Sequence, residues 1–480
     1  MQNDYTLRLL TELMDGIDRG DFNDPASLPV KYTYDHLSSL FYYADELEGG
    51  RELYRDMWKI AMDCALYHVK AKASRGEKLR VFFLTYSAAE WPAESLYKLL
   101  VADSRFDVHI LVCKMTQMHP EVALTRFRTT LDYFISHGYR TVAGFDEKND
   151  CDLNYMRLGG FPDILINLTP WIRNLSPFLS PLNLPLKCLN LFIPYGFHTA
   201  DSTDGSYLHD IIYNAHLASI VWRVYSFSVS ENEGYRAHSF LSGDNTLFSG
   251  FPKMDCFMAG YPPADEAEIR TLWKIPDDKP VQSLRRVIIA PHHSLMPDQL
   301  VSFGTFSHNA RFLQELARQI GDSVTFILKP HPNLRLTAVN SGLFPDFASF
   351  DAYIDEWNRM PNARVVTEDQ YLDLFRTSDA MIMDSGSFLA EYLYVNKPLL
   401  FLTKEGQAFS TLGERTLSAY YTVPGTDFDG ITNFLKRVVI DGQDEKESAR
   451  AQVFAEELDY VSLNGCLAGE RIYQDILSFL

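Results

Sequence analysis

The sequence predicts an α/β protein built from two Rossmann-like domains facing a cleft, with a helical N-terminal extension and a helical C-terminal tail. Three observations predict it. Strand-like alternation is missing before residue 79, two separate series of short β-type runs follow, and helical texture returns after residue 428. At 480 residues and 46% hydrophobic composition the chain is too long for one core and apolar enough to fill two.

Residues 1–78 read as the helical extension, because Leu10, Leu13, Met14 and Ile17 recur at helical spacing, as do Leu53, Met57, Ile60 and Ala61. Residues 79–260 form the first Rossmann-like domain, the acceptor side. Its strands are RVFFLTY, FDVHILVCK, YRTVAGF, PDILINL and CLNLFIPYG, and segments such as ALTRFRTTLDYFISHG suit the helices between them. The polar stretch PPADEAEIRTLWKIPDDKP looks like the connection to the second, nucleotide-donor domain, residues 261–428. Its strands are RRVIIAP, SVTFILKPHP, ARVVTED, AMIMDSG and PLLFLT. Residues 429–480 are read as helices that pack back on the domains. Two tandem units of this kind describe the glycosyltransferase-B architecture, whose ligands sit where strand C-termini face each other.

A formal net charge of −19 argues against a non-specific nucleic-acid binder, since phosphate backbones are held by surplus Lys and Arg. Phosphates can still be bound by locally placed cations and backbone N–H groups. Six scattered cysteines without a CxxC fit reduced thiols, and neither a signal peptide nor a membrane-length apolar run is present. The expected location is cytoplasmic, with peripheral association at the inner face of the membrane left open.

Chemistry concentrates at strand ends. In SDAMIMDSGSFLAEYLYVNKP a buried strand runs into Asp384, Ser385, Gly386 and Ser387, and a helix is expected from about Phe388, with Ser387 as its N-cap and Glu391 in its first turn. Gly386 allows close backbone approach, so free N–H groups and hydroxyls form a phosphate cradle there. In FILKPHP, Lys329 and His331 emerge together after another strand, on a turn stiffened by Pro330 and Pro332. APHHSL places His292 and His293 after a third strand, where each has even odds of being structural. In the first domain, IPYGFHT offers His198 as general-base candidate, and GFPKMD offers Lys253 as a phosphate support against the plainer reading of a surface turn. Asp427-Phe428-Asp429 matches a metal-binding DxD only weakly in so acidic a chain, and no metal site is assigned.

The order GFPKMD, then AP with a polar cluster, then KPHP, then SDAMIMDSGSFLAEYLYVNKP resembles the CDP-glycerol glycerophosphotransferase family of teichoic-acid and capsule polymerases, over about residues 190–405. The resemblance implies that His331 and the loop of Asp384, Ser385 and Ser387 contact the donor phosphates, and that His198 is the base. It departs from the family pattern at three places: YGFHTAD stands for an HGT-type motif, DSGS for DYSS and APHHS for APTxR. These departures suggest a divergent, capsule-type branch whose donor need not be CDP-glycerol itself; the expected donor is CDP-glycerol or a similar nucleotide-activated molecule, and the expected acceptor is a polysaccharide or polyol phosphate. In the implied reaction the acceptor hydroxyl attacks the donor's β-phosphorus and CMP leaves. No cofactor is required, and Mg2+ remains compatible. Two other readings stand beside it: a glycosyltransferase or 2-epimerase acting on a nucleotide sugar, and a non-catalytic nucleotide-binding relative.

Overall fold

The computed structural model describes residues 2–296, 299, 301–367, 371–386 and 388–480. By internal contacts the chain divides into two units. The first is Met1–Gly196 with His209–Asp255 and Tyr460–Leu480, and the second is Phe197–Leu208 with Cys256–Asp459. The helices Gln2–Asp18, Tyr34–Tyr43 and Gly50–Ser74 are therefore part of the first unit, and the C-terminal tail is shared between the two.

The first unit holds a seven-stranded sheet of β1 (Leu79–Thr85), β2 (Phe106–Val112), β3 (Thr141–Ala143), β4 (Ile164–Asn167), β5 (Leu189–Phe192), β6 (Arg223–Ser226) and β7 (Thr246–Phe248). The strands run parallel in the order β3-β2-β1-β4-β5-β6-β7. β6 and β7 join the five expected strands, and their short segments carry no alternation strong enough to announce them. Helices cover a parallel sheet on both faces, which is why runs such as ILIN are buried without interruption.

The motif GFPKMD closes this unit mechanically. The Asp255 carboxylate accepts from Ser95 Oγ (2.6 Å), Tyr460 Oη (2.8 Å) and the backbone N–H groups of Ala468 and Gly469 (both 2.9 Å), so it caps the tail helix Ala468–Leu477. Gly250, at φ +81°, lies under the Tyr460 ring, where a β-carbon would come within 2.1 Å of ring carbons.

The second unit holds β8 (Arg285–Ala290), β9 (Val324–Leu328), β10 (Ala363–Val365), β11 (Ala380–Met383), β12 (Leu399–Thr403) and β13 (Tyr421–Pro424), parallel in the order β10-β9-β8-β11-β12-β13. This is the doubly wound Rossmann order, and it reverses between β8 and β11. β13 is the one strand here that the sequence pattern did not reveal. Asp427 of the DxD match accepts from Gly430 N at 2.9 Å and caps the helix Phe428–Asn433, a structural duty. Among the described residues no helix is long and apolar enough to cross a membrane.

Gly250→Ala combines a left-handed backbone with a collision against Tyr460. It is expected to lower unfolding free energy by roughly 2 kcal/mol or more. Urea denaturation of the variant beside the wild type measures this.

Candidate functional site

In an open parallel sheet the crevice forms where the strand order reverses, beyond the strand C-termini. β8 and β11 pair across that point through Val287↔Ala380 and Ala290↔Met383, and β9 pairs with β8 on its other side. Three turns therefore leave the sheet side by side. Lys329 N donates to Ile289 O (2.8 Å) and His331 N to Pro291 O (3.2 Å), which fastens the KPHP turn to the APHHS turn. His293 stacks on His331 with centroids 4.0 Å apart, and His292 lies 4.3 Å from His293 and 5.3 Å from His331.

Hydrogen bonding decides what these imidazoles offer. Ser294 Oγ accepts from Phe303 N (2.7 Å) and Gly304 N (2.9 Å), so its own proton goes to His292 Nδ1 at 2.7 Å. Ser294 N also donates to that Nδ1 (3.2 Å). Asn333 N donates to His331 Nδ1 at 3.1 Å. Both Nδ1 atoms are acceptors, which leaves the proton of each neutral ring on Nε2. Burial, reinforced by the neighbouring rings and Lys404, holds His292 well below the usual histidine range. Burial, then His293 and Lys329, push His331 down to about 3. Burial also lowers His293, whose Nδ1 is buried with no hydrogen-bond partner among the described residues.

The three rings bring ligand atoms within 4.8 Å of one another, a spacing that could hold a metal ion. A metal on Nε2 would need Nδ1 protonated, yet backbone N–H groups point at Nδ1 of both His292 and His331. The set therefore fits an anionic oxygen, met by Nε2–H donors, better than a cation.

Asp384 is placed differently from the expectation. It is 2% exposed and both its oxygens are used by the protein. His292 N donates to Oδ1 (2.6 Å), while Thr305 N (2.5 Å) and Thr305 Oγ1 (2.8 Å) donate to Oδ2. Its carboxylate organises the turns and does not face a ligand. Burial raises it to about 6 despite the opposing bonds from Thr305 and His292 and the charge of Lys404. Ser385 is buried, and Ser387 lies outside the described residues. No α-helix begins at Phe388. Residues 388–390 form a turn, followed by the 3-10 helix Glu391–Val395, which Asn396 ends in a left-handed conformation. Burying Leu389, Ala390, Tyr392 and Leu393 in so short a crossover leaves no room for a full α-helix. The expected helix dipole is thus absent, and Leu389 N instead donates to Gly386 O at 3.2 Å. Glu391 is buried and accepts from Tyr371 Oη, and Lys329 Nζ lies 5.8 Å from the Tyr371 ring centroid.

His198, expected in the first domain, belongs to the second unit. The strand Ala200–Asp201 pairs antiparallel with Ala408–Phe409, and Thr199 Oγ1 donates to Gly386 O at 2.6 Å. The segment carrying His198 is therefore stitched to the Asp384–Gly386 loop. Lys253 sits half-buried on the turn Pro252–Met254 and belongs to the first unit. Thr199, Ser294, Thr305 and Lys404 went unrecognised in the sequence. Lys404 carried a usable signal, a cation directly after a buried strand, and its Nζ donates to Gly304 O at 3.0 Å. The other three are small hydroxyl residues in loops, with nothing in their spacing to mark them.

No curated protein matches the chain in sequence. The model of a family described as CDP-Glycerol:Poly(glycerophosphate) glycerophosphotransferase matches residues 219–478, more than half of the chain. Among solved structures, that of the wall teichoic acid polymerase TagF is matched over 99% of this chain and 98% of its own, at 14% identity and a TM-score of 0.50. A UDP-GlcNAc 2-epimerase from Neisseria meningitidis, bound to UDP-GlcNAc, is matched over 84% of this chain and 100% of its own (14% identity, TM-score 0.51). The S. aureus MnaA-UDP co-structure gives 84% and 98%, with 12% identity and a TM-score of 0.50. At these identities the likeness concerns the fold, which is the glycosyltransferase-B type.

The pH dependence of stability follows from two opposed groups. His331 is lowered to about 3, so its contribution is complete above its ordinary value of 6.5 and is lost as pH falls from there toward 3. Asp384 is raised to about 6, so its contribution is complete below 3.8 and is lost as pH rises through 6. Between about pH 7 and pH 5, His331→Gln is expected to lose less stability than the wild type, and Asp384→Asn more. Urea melts at both pH values report the two slopes.

Proposed function

Because the chain belongs to the CDP-glycerol:poly(glycerophosphate) glycerophosphotransferase family, we propose that its second unit binds a nucleotide-diphosphate donor such as CDP-glycerol and passes the polyol phosphate to an acceptor hydroxyl. The acceptor is a polysaccharide or polyol phosphate destined for the bacterial cell surface. One observation carries the reading. Lys329, the Nε2–H donors of His292 and His331, and the Ser385–Gly386 turn all leave one sheet edge at its reversal point, and Thr199 ties His198 to the same loop.

In this reaction His198 removes the acceptor proton, and the resulting alkoxide attacks the donor's β-phosphorus. The bond to the oxygen bridging the two phosphorus atoms breaks, and CMP leaves with that oxygen. Charge grows on the phosphoryl oxygens and on the leaving phosphate. Preorganised N–H donors and the Lys329 ammonium stabilise it without reorganising, in a crevice of low dielectric. Burial suits His331 to this duty, since a ring kept neutral near pH 7 donates one fixed hydrogen bond and no mobile charge. Glu391, buried and accepting from Tyr371 Oη, braces the crossover that carries the Ser385–Gly386 turn. The chemistry calls for no metal.

Purified protein is to be incubated with CDP-glycerol, CDP-ribitol and UDP- or CMP-sugars, with and without EDTA, and the released nucleotide identified. CMP from a CDP-alcohol, persisting in EDTA, is the expected result. His331→Ala and Lys329→Ala should each slow it by about 10²–10³-fold. Release of UDP or CDP would move the enzyme to sugar transfer.

A further inference from the structure

The loop residue Gly386 is approached by a segment remote in sequence. Thr199 is 1% exposed, and its hydroxyl donates to Gly386 O at 2.6 Å. Its carbonyl accepts from Ser410 N at 3.0 Å, and Ser410 Oγ in turn accepts from Gly413 N at 3.0 Å to cap the helix Thr411–Ser418. Two glycines permit this. A β-carbon at Gly413 would come within 2.1 Å of Thr199 O, and one at Gly386 within 3.0 Å of Thr199 Oγ1. The pairing of Ala200–Asp201 with Ala408–Phe409 continues the clamp on the far side. Thr199 is thus held by both its side chain and its backbone, and the residue before it is His198.

We propose that Thr199 is a positioning residue for the base: its hydroxyl fixes His198 against the donor-phosphate loop, so that loop and base move as one piece. The inference rests on the glycerophosphotransferase reading and adds to it a specific mechanical link. A serine or threonine is required because only a hydroxyl at this depth can reach Gly386 O, and the buried carbonyl would otherwise lack that donor. Displacing a base by about 1 Å costs transfer on the order of 10²-fold, while donor phosphates held by other groups stay bound. Thr199 therefore acts on kcat through His198 and leaves donor affinity nearly alone.

The test is a kinetic double-mutant cycle on the full chain, with the CDP-alcohol that gives CMP as donor. Thr199→Val keeps the shape and removes the hydroxyl. It is expected to lower kcat by about 10–100-fold with donor KM changed less than about threefold. Thr199→Ser should restore most of the rate. In a His198→Ala background, Thr199→Val should cause no further loss. Equal losses with and without His198, or a tenfold rise in donor KM with kcat unchanged, would overturn the inference and make Thr199 a brace of the donor loop alone. If Thr199→Val does not fold, Thr199→Ala takes its place in the cycle with the same expectations. A wild type that releases no CMP from any CDP-alcohol would defeat the functional reading and this inference with it. Additive variants of an active enzyme would defeat the inference alone.

Discussion

A single buried carboxylate holds the sheet edge of the second unit together. Asp384 ends β11, and its two oxygens collect the backbone N–H of His292 after β8 and both donors of Thr305 at the start of the helix Phe306–Gln319. Lys404, after β12, adds its charge. Four chain segments are thus referred to one side chain. In a Rossmann unit the N-terminus of the first crossover helix is the customary seat of a ligand's pyrophosphate. Here that end is occupied by the protein's own anion, so a ligand anion has to be met beside it. On the proposed reading the neighbouring turns supply the means: His292 and His331 on one side, Ser385 and Gly386 on the other.

That substitution reconciles an acidic chain with the proposed phosphate-binding role. With a net charge of −19, the overall field repels an anionic donor, and recognition has to be short-range. Neutral imidazoles are suited to it. Burial keeps His292 and His331 unprotonated, while serine and backbone donors at Nδ1 fix which nitrogen carries the hydrogen. The result is directional donation from rings that carry no charge of their own. Lys329 adds a cation after β9, its Nζ 5.8 Å from the Tyr371 ring centroid.

Much of this is legible in the sequence. Long apolar runs at even spacing announce parallel strands, and the residues just past them fall at the strand C-termini, so the placing of His292, Lys329, His331 and the Asp384–Gly386 loop on one sheet edge could be read directly. What escaped depends on distance in space. β6, β7 and β13 are short and are strands because neighbours pair with them, as Tyr421 pairs with Leu400. The helix expected at Phe388 is a propensity argument that loses to the packing of Leu389 and Tyr392. Asp384 read as a ligand because its type and position fit one, and only the locations of His292 N and Thr305 show that its lone pairs are already taken. GFPKMD read as a phosphate support or a surface turn, whereas its aspartate and glycine lock the C-terminal helices in place.

The placement of His198 shows why chain order is a poor guide to domain membership. Its segment follows β5 of the first unit in sequence, yet residues 197–208 pack with the second unit before the chain returns. A reaction that needs a hydroxyl, a base and a phosphorus atom in line tolerates errors of only a few tenths of an ångström. A base carried on one unit and a phosphate loop on another would inherit every change in their mutual disposition. Carrying both on one sheet framework, joined by the Thr199 to Gly386 bond, makes their geometry a property of local packing. The cost is a pair of connections between the units, and on the proposed reading the return is that the position of His198 is set before any acceptor arrives.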